Sequence, residues 1–234
     1  MCNKEGDTMD QIIIGDKASF EDFSASVASR KIKMPKKKSI KETVPFSNVT
    51  HDFSAIDGEI YWEDRELEYI FEITADTPEE LEQLKSTFAT WVMSVMGQEL
   101  HDPHIPDYHF LATYDDMNPE DDEGLDKSTI TVTFTAYPYK IANTPKVYDN
   151  ISLPASKWIQ MNILNESDHP VSVTIKNTMN ITFGIGNDGW MNPIPSGGGT
   201  FPAIKLPKGT SEVFILNSEA KDGTVRISFH EEVF

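Results

Sequence analysis

The residues best suited to chemistry are three histidines and two aspartates that fall within nine positions near the middle of the 234-residue chain. They lie in the segment His101-Asp102-Pro103-His104-Ile105-Pro106-Asp107-Tyr108-His109. Imidazole and carboxylate groups bind zinc or iron. The histidines are not four residues apart on a helix, however, and the two prolines disfavour a helix here. We therefore expect a polar turn between two strands and no metal site, with metal binding as the alternative.

Other chemistries have weaker support in the sequence. The acidic segment 115–124 lacks the ligand order of an EF-hand and is expected to be a solvated loop. Cys2 is the only cysteine, which excludes intrachain disulfides and cysteine-rich zinc sites. No nucleophile elbow or phosphate-binding loop occurs, and nothing singles out a catalytic pair among the carboxylates. We expect a protein that is not an enzyme and that binds no cofactor.

A glycine- and proline-rich stretch, 184–199, surrounds Trp190. An indole ring could stack on a sugar while the polar side chains of Asn187, Asp188 and Asn192 bind its hydroxyls. The simpler interpretation is a tryptophan that closes one end of a β-sandwich. Trp158, in a strand-like run, is expected in the core.

Charge is distributed very unevenly around a net value of −18. Residues 42–125 contain 22 acidic residues and only two basic ones, Arg65 and Lys85. Such a segment repels nucleic-acid phosphates, which suits a surface along which DNA slides without adhering. No long apolar run and no apolar leader occur, so we expect no membrane span, no signal peptide and synthesis in the cytoplasm.

The elements that position these residues follow from periodicity. Alternating apolar residues predict strands at 67–73, 108–114 and 129–139, and one apolar stripe predicts a helix at 78–96. We interpret residues 1–8 as a disordered extension and 9–142 as an α+β domain. Beyond a boundary near 142–145, residues 146–234 carry only short strand-like runs, which predicts an all-β sandwich.

Residues 30–41 form a basic run with seven lysines and arginines in twelve positions. A solvated, mobile loop and a binding site for an anionic partner are both compatible with this pattern.

The first part of the chain resembles the distal tail proteins of siphophages. In that family a basic, proline-containing loop precedes an aromatic-Asp-Phe-Ser motif. A strand with a Tyr/Trp-x-x-Arg-x-Leu-x-Tyr-x-Phe pattern, a helix with a tryptophan, and a strand–turn–strand follow. The matching segments here are 31–42, His51-Asp52-Phe53-Ser54, 61–71, 86–97, 100–108 and the closing strand 131–139.

The resemblance implies a specific architecture and location. It implies a tail-tube-like antiparallel β-sandwich or barrel with one helix, followed by a galectin-like β-sandwich. Such proteins form a hexameric ring at the virion tail tip, between the tail tube protein and the tail-associated tip protein, and DNA passes through the ring. In some relatives the second domain anchors receptor-binding proteins.

One further expectation combines the resemblance with the charge distribution. Acidic subunits repel one another, so we expect the basic loop, with Lys36, Lys37 and Lys38, to lie at a ring interface. The alternative function is a carbohydrate-binding adhesin that contacts the host surface through Trp190.

Overall fold

The computed structural model describes residues 10–43, 46, 48, 50–54, 60–122, 126–186 and 191–234. The expected extension at 1–8 lies outside these residues. The chain divides into two compact units, 1–140 with Phe234 and 141–233. Both units are built mainly of β-strands, as the sequence predicts. No helix in the described part of the chain is long and apolar enough to span a membrane.

The first unit contains most of the acidic residues and the two helices found among the described residues. Its elements are β1 (Ile13–Ile14), β2 (Lys17–Ala18), α1 (Ser19–Phe23), β3 (Ala25–Ile32), β4 (Lys41–Thr43), β5 (Thr50–Asp52), β6 (Arg65–Thr74), α2 (Pro78–Met93), β7 (Gln98–His101), β8 (Tyr108–Asp121) and β9 (Lys127–Ala136), followed by β10 (Lys140–Ala142).

An antiparallel sheet in the order β2-β1-β7-β8-β9-β6-β3 forms the body of this unit. Buried and less buried positions alternate along β6 and β9, so Leu67, Tyr69 and Phe71 are completely buried while the residues between them project from the other face of the sheet. Helix α2 covers the buried face: Phe88 meets Phe71 edge-on at 5.0 Å between ring centroids. Burial of this apolar face holds the sheet and helix together.

The helix begins as predicted and ends earlier. Thr77 is its N-cap and accepts a hydrogen bond from the backbone N–H of Glu80 at 3.2 Å, and Pro78 occupies the first position. The helix ends at Met93, three residues before the predicted end, and Gly97 lies beyond it with a φ of +60°. Val95 is buried in the turn that follows, so the apolar stripe continues past the last helical residue.

The expectation of an acidic loop from residue 115 is wrong for residues 115–121. Strand β8 continues to Asp121 and pairs with β9 from Ala112 to Asp121, with a bulge between Tyr114 and Asp116. The second half of β8 exposes most of its side chains, so apolar alternation stops after Tyr114. The sequence pattern therefore did not predict this part of the strand.

The second unit is a pair of four-stranded antiparallel sheets that share one apolar core. Their orders are β11-β18-β13-β16 and β12-β17-β14-β15. The strands are β11 (Lys146–Leu153), β12 (Trp158–Asn165), β13 (Val171–Asn177), β14 (Ile181–Ile185), β15 (Met191–Ile194), β16 (Gly199–Leu206), β17 (Gly209–Asn217) and β18 (Gly223–Phe229), followed by β19 (Glu232–Val233).

Candidate functional surfaces

The basic segment runs alongside the first unit instead of standing away from it. Lys33 and Lys38 donate backbone hydrogen bonds to Glu66 and Tyr61 at 3.0 and 2.8 Å, and Glu63 donates one to Lys36 at 2.8 Å. The side chains of Lys36, Lys37 and Lys38 are nevertheless exposed. Backbone pairing therefore fixes the path of the segment and presents three consecutive ammonium groups to solvent.

The face of the sheet opposite the core carries a column of threonines between two rows of carboxylates. The threonines are at alternate positions of β9: 129, 131, 133 and 135. The register places Glu66, Glu68 and Glu72 of β6 on one side of them, and Asp116 and Glu120 of β8 on the other. The arrangement arises because β6 and β8 both pair with β9, and the side chains of residues paired across strands project from the same face of the sheet.

Among the described residues, lysines pair with the β6 row of carboxylates but not with the β8 row. Lys127 lies 3.0 Å from the carboxylate of Glu72, Lys31 lies 3.8 Å from that of Glu68, and Lys33 pairs with Glu66. In the described residues no ion pair involves Asp116 or Glu120. The β8 side of the face is therefore its most negative part.

The two basic residues of segment 42–125, Arg65 and Lys85, do not neutralise the carboxylates of this face, because each is held by other groups. Arg65 is 2% exposed, lies over the Phe110 ring, and donates from Nε to the carbonyl of Pro138 at 2.8 Å. Burial lowers its pKa below the ordinary value. Lys85 is held between Glu82 and Asp121 at 2.7 and 2.8 Å, and its hydrogen bond lowers the pKa of the Asp121 carboxyl.

A buried polar network fixes the turn between β7 and β8. The carboxylate of Asp102 accepts hydrogen bonds from the Tyr69 hydroxyl at 3.1 Å and from the backbone N–H of His104 at 2.9 Å. Arg30 approaches it at 3.3 Å through Nε and also pairs with Asp10. Burial, with the charge of Asp102 as a second cause, raises the pKa of the Tyr69 hydroxyl, so this group remains a donor.

Next to the same turn, two of the histidines considered as metal ligands from the sequence, His101 and His109, come together with Glu99, which the sequence did not single out. His101 and His109 are directly opposite each other on β7 and β8, and Glu99 lies two residues before His101 on the same face. The Nε2 atoms of His101 and His109 lie 3.5 and 3.9 Å from the Glu99 carboxylate oxygens. His104, in contrast, is exposed in the turn and lies near Asp10 and Asp102.

The proposed sugar contacts in the second unit are described only in part. Asn192 is exposed on β15. Asn187, Asp188 and Trp190 lie outside the described residues. Trp158 is 51% exposed on β12, so the expectation that it lies in the core is wrong.

No protein-family model and no curated protein matches the chain in sequence. Among solved structures it is similar to the Dit (gp 19.1) protein of phage SPP1, described as a paradigm of the hub adsorption apparatus in phages that infect Gram-positive bacteria. The TM-score is 0.65 at 10% identity, over 94% of this chain and 98% of that chain. This chain has the Dit fold.

The resemblance to distal tail proteins is thereby confirmed at the level of the fold, and across both units. A chain of the phage P2 baseplate, in its activated conformation with Ca, also aligns over 93% of this chain and 97% of its own. Its TM-score of 0.37 at 10% identity supports no conclusion.

Proposed function

We propose that the chain is a structural, non-enzymatic subunit of a phage tail tip that assembles into a hexameric ring between the tail tube and the tip protein. The observation that carries the proposal is the Dit fold over nearly the full length of both chains. The SPP1 protein is a hub component, and a hub subunit needs surfaces for its own copies and for neighbouring tail proteins more than it needs a catalytic pocket.

The outer face of the first unit supports the proposal that DNA passes through the ring. Carboxylates that line a passage repel phosphates and prevent adhesion, and threonine hydroxyls keep the surface hydrated without adding positive charge. The face formed by β6, β8 and β9 has this composition, and in the part of the chain that the structure describes its carboxylates without an ion pair lie on β8. We assign it to the lumen of the ring.

The exposed lysines of the basic segment are assigned to the contact between neighbouring subunits. A chain of net charge −18 is repelled by its own copies unless the contact is apolar or brings opposite charges together. Lys36, Lys37 and Lys38 are fixed in place by backbone pairing and can meet an acidic surface of the next copy. The second unit is left to contact other tail components, among them receptor-binding proteins.

Light scattering across a concentration series, with negative-stain imaging of the largest species, tests self-assembly. Six copies of the 26.3 kDa chain weigh about 158 kDa and should appear as a ring with a central hole. A monomer at every concentration would contradict a self-assembling ring.

Charge reversal tests the interface. Replacing Lys36, Lys37 and Lys38 together by glutamate should abolish the ring while the monomer keeps its circular dichroism spectrum. A matched variant reverses three exposed lysines of the second unit, Lys157, Lys176 and Lys205, and changes the net charge equally. Loss of the ring in both variants would point to general repulsion and refute the specific contact.

A further inference from the structure

We propose that Glu99, His101 and His109 form a binding site for a transition-metal ion of the zinc type. Their ligand atoms, two imidazole nitrogens and a carboxylate oxygen, all lie within 4.8 Å of one another. This inference concerns the fold of the first unit and does not depend on the proposed function.

The register of β7 and β8 builds the site. His101 and His109 are a directly opposed cross-strand pair, with their ring centroids 5.2 Å apart. Side chains two residues apart on one strand project on the same side, so Glu99 reaches the same point diagonally. The intervening Leu100 points into the core and is completely buried. Three ligands thus come from two hydrogen-bonded strands.

The distances suit a small cation after minor adjustment. Zinc bonds of 2.0–2.2 Å to nitrogen and oxygen place neighbouring ligand atoms of a tetrahedral site about 3.3 Å apart. The Glu99 oxygens lie 3.5 Å from Nε2 of His101 and 3.9 Å from Nε2 of His109. Small side-chain rotations close these gaps without movement of the strands.

The donor set determines the kind of metal. Two imidazoles and one carboxylate suit zinc and its first-row neighbours, whereas calcium and magnesium prefer oxygen ligands alone. Three protein ligands leave one position of a tetrahedral ion for water or for an incoming group.

Burial gives the site one fixed ligand and two adaptable ones. The side chain of His109 is 8% exposed, that of His101 is 36% exposed and that of Glu99 is 60% exposed. The Asp102 network holds the turn directly after His101, so the spacing of the two histidines is set by buried hydrogen bonds. The metal can still enter from the solvent side, past Glu99.

Isothermal titration of full-length protein without a histidine tag, using Zn²⁺ alone, tests the site. We expect one ion per chain, and no heat at the same site with Ca²⁺. His101→Gln and Glu99→Gln should each weaken Zn²⁺ binding by at least about tenfold, since even loss of a group that only orients a ligand costs roughly 10–100-fold in affinity. Co²⁺ should give the absorption spectrum of a low-coordinate nitrogen and oxygen site, lost in the same variants.

The matched control is His104→Gln. This histidine lies in the same segment but outside the cluster, so the control should bind Zn²⁺ like the unaltered chain. The two ligand substitutions are at exposed or half-exposed side chains, and circular dichroism checks that both variants fold. Absence of Zn²⁺ binding, or affinity unchanged by both ligand substitutions, would overturn the proposal.

Discussion

Replacing Asp102 by alanine tests the buried network that fixes the β7–β8 turn. The substitution removes the acceptor of the Tyr69 hydroxyl, at 3.1 Å, and that of the His104 backbone N–H, at 2.9 Å. An unsatisfied buried donor costs about 1–3 kcal/mol, and removal of one member of a buried ion pair costs about 3–5 kcal/mol. Arg30 keeps Asp10 as a partner. We therefore expect a loss of about 3 kcal/mol, at the lower end of the ion-pair range.

The assay must report on the first unit alone, because a chain of two units need not unfold in one step. Hydrogen exchange of peptides from β6 and β8, measured by mass spectrometry across a urea series, gives the free energy of unfolding of this unit. The control is Asp107→Ala, at an exposed position of the same turn, which should change stability by less than about 0.5 kcal/mol. A loss for Asp102→Ala no larger than that of the control would refute the reasoning.

The remaining predictions concern one residue of the network, one helix cap and one close backbone approach. The folded state raises the pKa of Tyr69 above its ordinary 10.0, so the unfolded chain loses this proton first. The stability of the first unit should therefore fall above pH 10, by up to about 1.4 kcal/mol per pH unit. Tyr69→Phe should reduce this fall in urea titrations at pH 9–11, and an equal slope in the variant would contradict the raised pKa. Thr77→Ala should cost about 1 kcal/mol in the same exchange assay, against a smaller change for Thr87→Ala inside the helix; equal losses would rule out capping as the cause. Gly198→Ala places a Cβ 1.9 Å from the Ile175 carbonyl oxygen, whereas the Cβ of Gly197→Ala has no atom within 4 Å, although φ is positive at both glycines. Gly198→Ala should therefore lower the melting temperature of the second unit clearly more than Gly197→Ala does. Equal shifts would show that backbone strain alone causes the loss.

Much of the fold could be predicted because alternation and capping are local signals. Buried and exposed positions alternate through β6 and β9, and Thr77, Pro78 and Glu80 mark the start of α2. The second half of β8 gave no such signal, since Asp116 and Glu120 face solvent and pairing with β9 fixes this half of the strand. Strand pairing is a tertiary property, and single-strand patterns do not encode it.

The surfaces show the same limit. The exposed Lys36, Lys37 and Lys38 could be identified from the sequence because charge runs are seldom buried. His101 and His109 also stand out in the sequence as candidate metal ligands. Their cross-strand pairing and the proximity of Glu99, which lies outside the histidine segment, could not be predicted, because both depend on the register of β7 and β8.

The burial of three asparagine side chains in the second unit could also not be predicted from the sequence. Asn165, Asn177 and Asn217 each donate to backbone carbonyls of neighbouring loops, with Asn217 reaching Lys221 at 2.7 Å. Nothing in their local sequence separates them from the exposed asparagines of ordinary turns, because their role depends on which loops the sandwich brings together.

Cryo-electron microscopy of the assembled chain tests the central claim most directly. The account predicts a closed ring of subunits with the Dit fold, with Lys36, Lys37 and Lys38 at the contact between copies. The channel should be lined by the threonine and carboxylate face of β6, β8 and β9, with Asp116 and Glu120 facing the lumen. A ring whose channel is neutral or basic, or an assembly without a channel, would contradict it.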